Sequence, residues 1–141
     1  MGVRVYQLQV PAVASCLRPV RAFLTAALED VLAAATPAVV LALDEACANV
    51  VAHRARHLGR DDVELRIELW PDRVRFRLAA FCAAADLPAI RPRDLAEVRA
   101  GGLGTHFVGQ LMDRVDYEPD PQCPGAMALL LEKRLPPEGR P

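Results

Sequence analysis

A chain of 141 residues fits one domain with a core of its own, and 52% hydrophobic with 25% charged residues excludes a disordered chain. The formal net charge is −1 with both signs interspersed, so no basic stripe or tail points to nucleic acid or an anionic membrane as partner. Cys16, Cys47, Cys82 and Cys123 have neither CxxC nor CxxH spacing, so they read as reduced thiols of a cytosolic protein rather than a metal site or disulfide framework.

Residues 3–10 alternate as a strand does, with Val3, Val5, Gln7 and Gln9 on one side and Arg4, Tyr6, Leu8 and Val10 on the other. That alternation is not the apolar core of a signal peptide. Tyr6 stands where myristoylation of a Met-Gly start needs Ser or Thr. Pro11 stops the strand, and a helix follows to about residue 35, with Ser15 or Arg18 near its start and Pro19 in its first turn. Leu17, Val20, Leu24, Leu28, Val31 and Leu32 recur along it at helical spacing. Thr36 reads as a cap with Pro37 in the first helical position, opening a second helix to about residue 57. The most apolar stretch, residues 33–51, contains Thr36, Pro37, Asp44, Glu45 and Asn49, which make a bilayer crossing costly.

After a break at residues 59–62, Val63, Leu65, Ile67 and Leu69 alternate with charged residues, and Val74, Phe76 and Leu78 do the same beyond the turn at Pro71. This is a hairpin with one wet and one packed face, and Trp70 reads as core. Residues 79–93 read as a long loop. A short helix begins at Asp94 and gives way at Gly101-Gly102-Leu103-Gly104; a third helix spans about 105–112. Residues 115–118 and 126–133 look like two closing strands, separated by a turn. The order βααββ(α)αββ predicts an α/β sandwich with a mixed or antiparallel sheet, in one domain over residues 1–135 with a disordered tail at 136–141.

Glu45, Asn49 and His53 are spaced i, i+4, i+8 and form one stripe on the second helix, bordering the apolar arc of Val39, Leu43, Cys47 and Val50. An amide carbonyl at Asn49 suits Mg²⁺, which takes few protein ligands beside waters and phosphate oxygens. A carboxylate at Glu45 suits a general base. On spacing alone a solvated helix edge is the commoner explanation of such a pair. The glycine run before the third helix suits an anion held by backbone N–H groups, or simply a chain reversal.

Together the two motifs resemble a known arrangement. Glu45, Asn49 and His53 look like the N box of the anti-sigma-factor serine/threonine kinases of the GHKL (histidine-kinase-like ATPase) superfamily. Gly101-Gly102-Leu103-Gly104-Thr105-His106-Phe107-Val108 is similar to their second glycine box, and Leu111-Met112-Asp113-Arg114-Val115 to the segment just beyond that box. The resemblance covers about residues 3–135. It implies a two-layer Bergerat-type α/β sandwich, with a mostly antiparallel sheet and helices on one face. It further implies ATP bound under a lid, with Asn49 as the Mg²⁺ ligand and Glu45 activating the substrate hydroxyl. His53 and the segment Gly101, Gly102, Leu103, Gly104 and Thr105 would contact the nucleotide. The implied partners are a sigma factor and a STAS-domain anti-anti-sigma protein in the cytoplasm, with a homodimer through the sheet.

The sequence departs from that pattern in the first glycine box. The aspartate that reads the adenine amino group maps to Ala80 and the two glycines to Cys82 and Ala84; only Asp86 keeps its type, and a shifted alignment gives it the adenine role. Loss of a charged acceptor costs about ten- to a hundredfold in affinity and much of the selectivity for adenine. Three functions therefore stand side by side: an active serine/threonine kinase, a nucleotide-independent protein-binding module, and the ATPase module of a sensor histidine kinase.

Overall fold

The computed structural model describes residues 2–54, 61–84 and 111–135. In chain order these form β1 (Arg4–Pro11), α1 (Leu17–Leu32), α2 (Thr36–Asn49), β2 (Asp62–Leu69), β3 (Arg73–Ala83), β4 (Arg114–Pro119) and β5 (Ala126–Arg134). The strands make one sheet in the order β1-β2-β3-β5-β4, and every pairing is antiparallel.

Register carries the alternation of each strand across the whole sheet. Tyr6, Ile67, Phe76, Leu131 and Val115 form one continuous row, and Leu8, Leu65, Leu78, Leu129 and Tyr117 the next. These rows belong to one hydrophobic core, on which the helices lie. The opposite face carries the charged row Glu68, Arg75, Glu132 and Arg114. There Arg75 lies 3.1 Å from Glu132, and Arg114 3.5 Å from the same carboxylate. One face is thus packed and one wet, as alternation demands.

On α1, Val20, Leu24, Leu28 and Leu32 repeat every fourth residue and are buried; on α2, Val39, Leu43, Ala46 and Cys47 answer them. Each fully buried leucine contributes roughly 1.5–3 kcal/mol over an exposed one. The stretch Ala14–Ala52 is long and apolar enough on average to cross a membrane. It is not one rod, because Ala33 turns to φ +45° between the helices and the two arms pack against each other and the sheet.

Four sequence expectations change. Thr36 is the first residue of α2 rather than its cap, and its buried hydroxyl donates to the Leu28 carbonyl at 3.5 Å. Trp70 is not core: it sits half-buried at the hairpin tip, with the Arg73 guanidinium 4.5 Å over its ring and its indole N–H donating to Glu68. The strand after the hairpin does not stop at Leu78 but continues to Ala83, through residues assigned to a loop. The second helix is α-helical only to Asn49; Val50–Arg54 is π-helix. The expected helices beyond Asp94 and the tail at 136–141 lie outside the described residues, apart from Leu111 at a helix end.

Candidate functional site

Glu45 and Asn49 lie one turn apart on α2, both half-buried and flanked by Ala46, Cys47 and Val50, which are fully buried. Neither makes a hydrogen bond or ion pair among the described residues. Asp44, one step around the helix, contrasts with them: its carboxylate is 3.1 Å from Arg21 of α1 and bound to it. The helix thus commits one carboxylate to its neighbour and leaves the next, with an amide, at the rim of the core.

The α-helix ends at Asn49. The Val50 N–H is shared between the carbonyls of Ala46 and Cys47, and a five-residue π-helix packs against β3 directly beyond it. A stripe at i, i+4, i+8 assumes 3.6 residues per turn throughout, and the wider π-turn breaks that assumption between Asn49 and His53. The side chain of His53 lies outside the described residues, as do Asp86, Gly101, Gly102, Leu103, Gly104, Thr105 and His106.

The end of β3 departs from the regular sheet. Leu78 pairs with Leu129 but Cys82 pairs with Met127, so Ala79, Ala80 and Phe81 face the single residue Ala128. This bulge holds Ala80 at φ +44°, the left-handed region that alanine seldom adopts. Ala80 is the position matched to the adenine-reading aspartate. Its side chain packs with Cys123 and Ala126 in a small cluster apart from the main core, and its N–H donates to the buried Asp120 carboxylate at 2.8 Å.

Asp120 is the functional-site neighbour that the sequence does not reveal. In sequence it is one polar residue of a Pro-Asp-Pro turn, with nothing to connect it to a strand forty residues earlier. Burial alone would raise its pKa. The N–H groups of Gln122 and Ala80 together with the Arg77 guanidinium outweigh that and hold it below the ordinary carboxylate value. Close by, burial first and Cys82 second push the Tyr117 hydroxyl up to about 12, and the Phe81 ring lies 6.3 Å from that of Tyr117.

The phosphate side and the base side of such a site differ in what they offer. Among the described residues no three His, Cys, Asp or Glu side chains gather to hold a metal. A divalent ion would here depend on one hard oxygen such as the Asn49 carbonyl, with phosphates and waters completing its shell, which suits Mg²⁺. At the position matched to the adenine-reading aspartate, Ala80 has no side-chain acceptor, and its own N–H is already used. Lys133 donates to the Leu111 carbonyl at 2.8 Å, tying the backbone there to β5.

A family model described as a histidine kinase-like ATPase domain matches residues 10–127, which include α2 and the glycine run. No curated protein matches the chain.

Proposed function

The chain belongs to the histidine kinase-like ATPase domain family, and from that premise we propose that it is a serine/threonine kinase-like regulator of the anti-sigma-factor type. It would bind ATP with Mg²⁺ in the cytoplasm. It would control a sigma factor by switching partners with a STAS-domain anti-anti-sigma protein, and pair with a second copy through its sheet. The observation that carries this reading is the pairing of Glu45 and Asn49: adjacent, half-buried and without a polar partner among the described residues. Half-buried polar groups without a protein partner are open to water or to a ligand, so such a pair can serve a binding site.

In this reading the Asn49 side-chain carbonyl oxygen would hold the ion that accompanies the phosphates. Mg²⁺ supplies neutralisation of charge on the phosphate oxygens. Glu45 would orient the serine or threonine hydroxyl of the partner and accept its proton as that oxygen attacks. The bound nucleotide would supply its terminal phosphoryl group, with ADP carrying away the bridging-oxygen electron pair.

A second reading has its own support. Ala80 occupies the base-reading position, with its methyl group sealed among Cys123 and Ala126 and its N–H given to Asp120. That arrangement favours a protein-binding module that uses little or no nucleotide. Titration of the purified chain with ATP and ADP, with and without Mg²⁺, separates the two. Magnesium-dependent binding lost in Asn49→Ala supports the kinase-like reading, and no binding at millimolar nucleotide supports the module.

A further inference from the structure

We propose that Asp120 is a positioning residue for the candidate site, fixing the bulge at Ala80 and with it the course of β3 from Ala80 to Ala83. The inference rests on reading the end of β3, the strand that the π-turn after Asn49 packs against, as a wall of the nucleotide site.

Asp120 is 4% exposed, and its contacts among the described residues lie in the sheet and the β4–β5 turn. One carboxylate oxygen accepts the Ala80 N–H at 2.8 Å; the other accepts the Gln122 N–H at 3.0 Å and lies 3.5 Å from the Arg77 guanidinium. Its backbone is equally tied: its N–H donates to the Ala126 carbonyl at 2.9 Å, and its carbonyl accepts from Cys123 at 3.2 Å. A carboxylate held at this many points is a fixed strut rather than a group awaiting a ligand.

Asp120 braces the least regular part of the sheet. Three residues of β3 face one residue of β5, and Ala80 sits at positive φ. Such a conformation persists only where its surroundings over-determine it. Past the bulge the chain is caught again, because the Ala84 N–H donates to the Gly125 carbonyl at 2.8 Å. Asp120 holds the bulge itself and the β4–β5 turn holds its far end. The residue that lost its base-reading carboxylate is still positioned by a carboxylate, supplied from another strand and aimed at the backbone.

The test uses the full chain as wild type, Asp120→Asn, Asp120→Ala and, as a control for general destabilisation, Leu28→Ala in the helix layer. Amide hydrogen exchange is read at residues 80–84 against β1 and β2, and Mg-ATP affinity by calorimetry. Both Asp120 variants are expected to speed exchange at 80–84 by about tenfold or more, and to weaken Mg-ATP by about tenfold. Leu28→Ala is expected to do neither selectively. The Asn variant keeps one acceptor and the shape, so the test survives if the Ala variant fails to fold. Asp120 variants that change residues 80–84 no more than Leu28→Ala does overturn the proposal. A wild type that binds no Mg-ATP overturns the nucleotide reading instead, and the exchange result alone then decides whether Asp120 sets the path of β3.

Discussion

The carboxylate of Asp120 accepts the backbone N–H of Ala80 at 2.8 Å, across forty residues of chain and from the turn between two other strands. That single contact joins the strained end of β3 to the β4–β5 turn, and its removal has a measurable cost. Asp120→Ala strands two N–H donors and leaves the Arg77 guanidinium with Glu118 as its remaining carboxylate. We expect a loss of about 2–4 kcal/mol in folding stability, read from urea denaturation. A loss under about 0.5 kcal/mol, the range of ordinary surface changes, would mean the carboxylate does not brace the sheet.

Acid should find the same point. The folded pKa of Asp120 lies below its ordinary 3.8, and that of Glu68 below 4.5, the latter because the Trp70 indole N–H, Arg66 and Arg75 outweigh the effect of burial. A depressed carboxylate contributes stability that is whole above its unfolded pKa and is lost as pH falls through its folded pKa. Stability should therefore hold from neutrality down to the ordinary carboxylate range and fall below it. Asp120→Asn should flatten that acid limb. An unchanged acid limb in the variant would assign it to other carboxylates.

Ala33 between α1 and α2 is an exposed alanine at φ +45°. Glycine reaches such angles without a Cβ clash. Ala33→Gly should stabilise the fold by up to about 1 kcal/mol, read as a raised thermal midpoint. A lowered midpoint would mean the helix joint is not strained there.

Burial pushes the Cys47 thiol up to about 12, with Cys16 and Asp44 adding to it. At pH 8 only about one part in ten thousand would be thiolate. Iodoacetamide should leave Cys47 unlabelled in the native protein and label it in urea, as mass spectrometry would read. Rapid native labelling would contradict the packing of α2 against the core.

Legibility in the sequence depended on whether a signal was local. The hairpin strands and the buried arc of Val39, Leu43 and Cys47 on α2 were legible because period-two and period-four patterns are properties of short windows. The continuation of β3 was not. Ala79, Ala80 and Phe81 are all buried, so no alternation marks them. The π-turn at Val50–Arg54 left no mark either, because Val-Val-Ala-His-Arg reads equally well as α-helix. Asp120 was hidden for a third reason: its partner is a backbone N–H, and backbone groups have no letter in the sequence.

The most direct measurement is a calorimetric titration of the full chain with Mg-ATP, beside Asn49→Ala. Magnesium-dependent binding is expected, weakened by the degraded base side to roughly a tenth or a hundredth of the affinity an intact acceptor would give, and abolished in Asn49→Ala. Absence of binding at millimolar nucleotide, or binding indifferent to both magnesium and Asn49, would contradict the kinase-like reading of the Glu45–Asn49 pair.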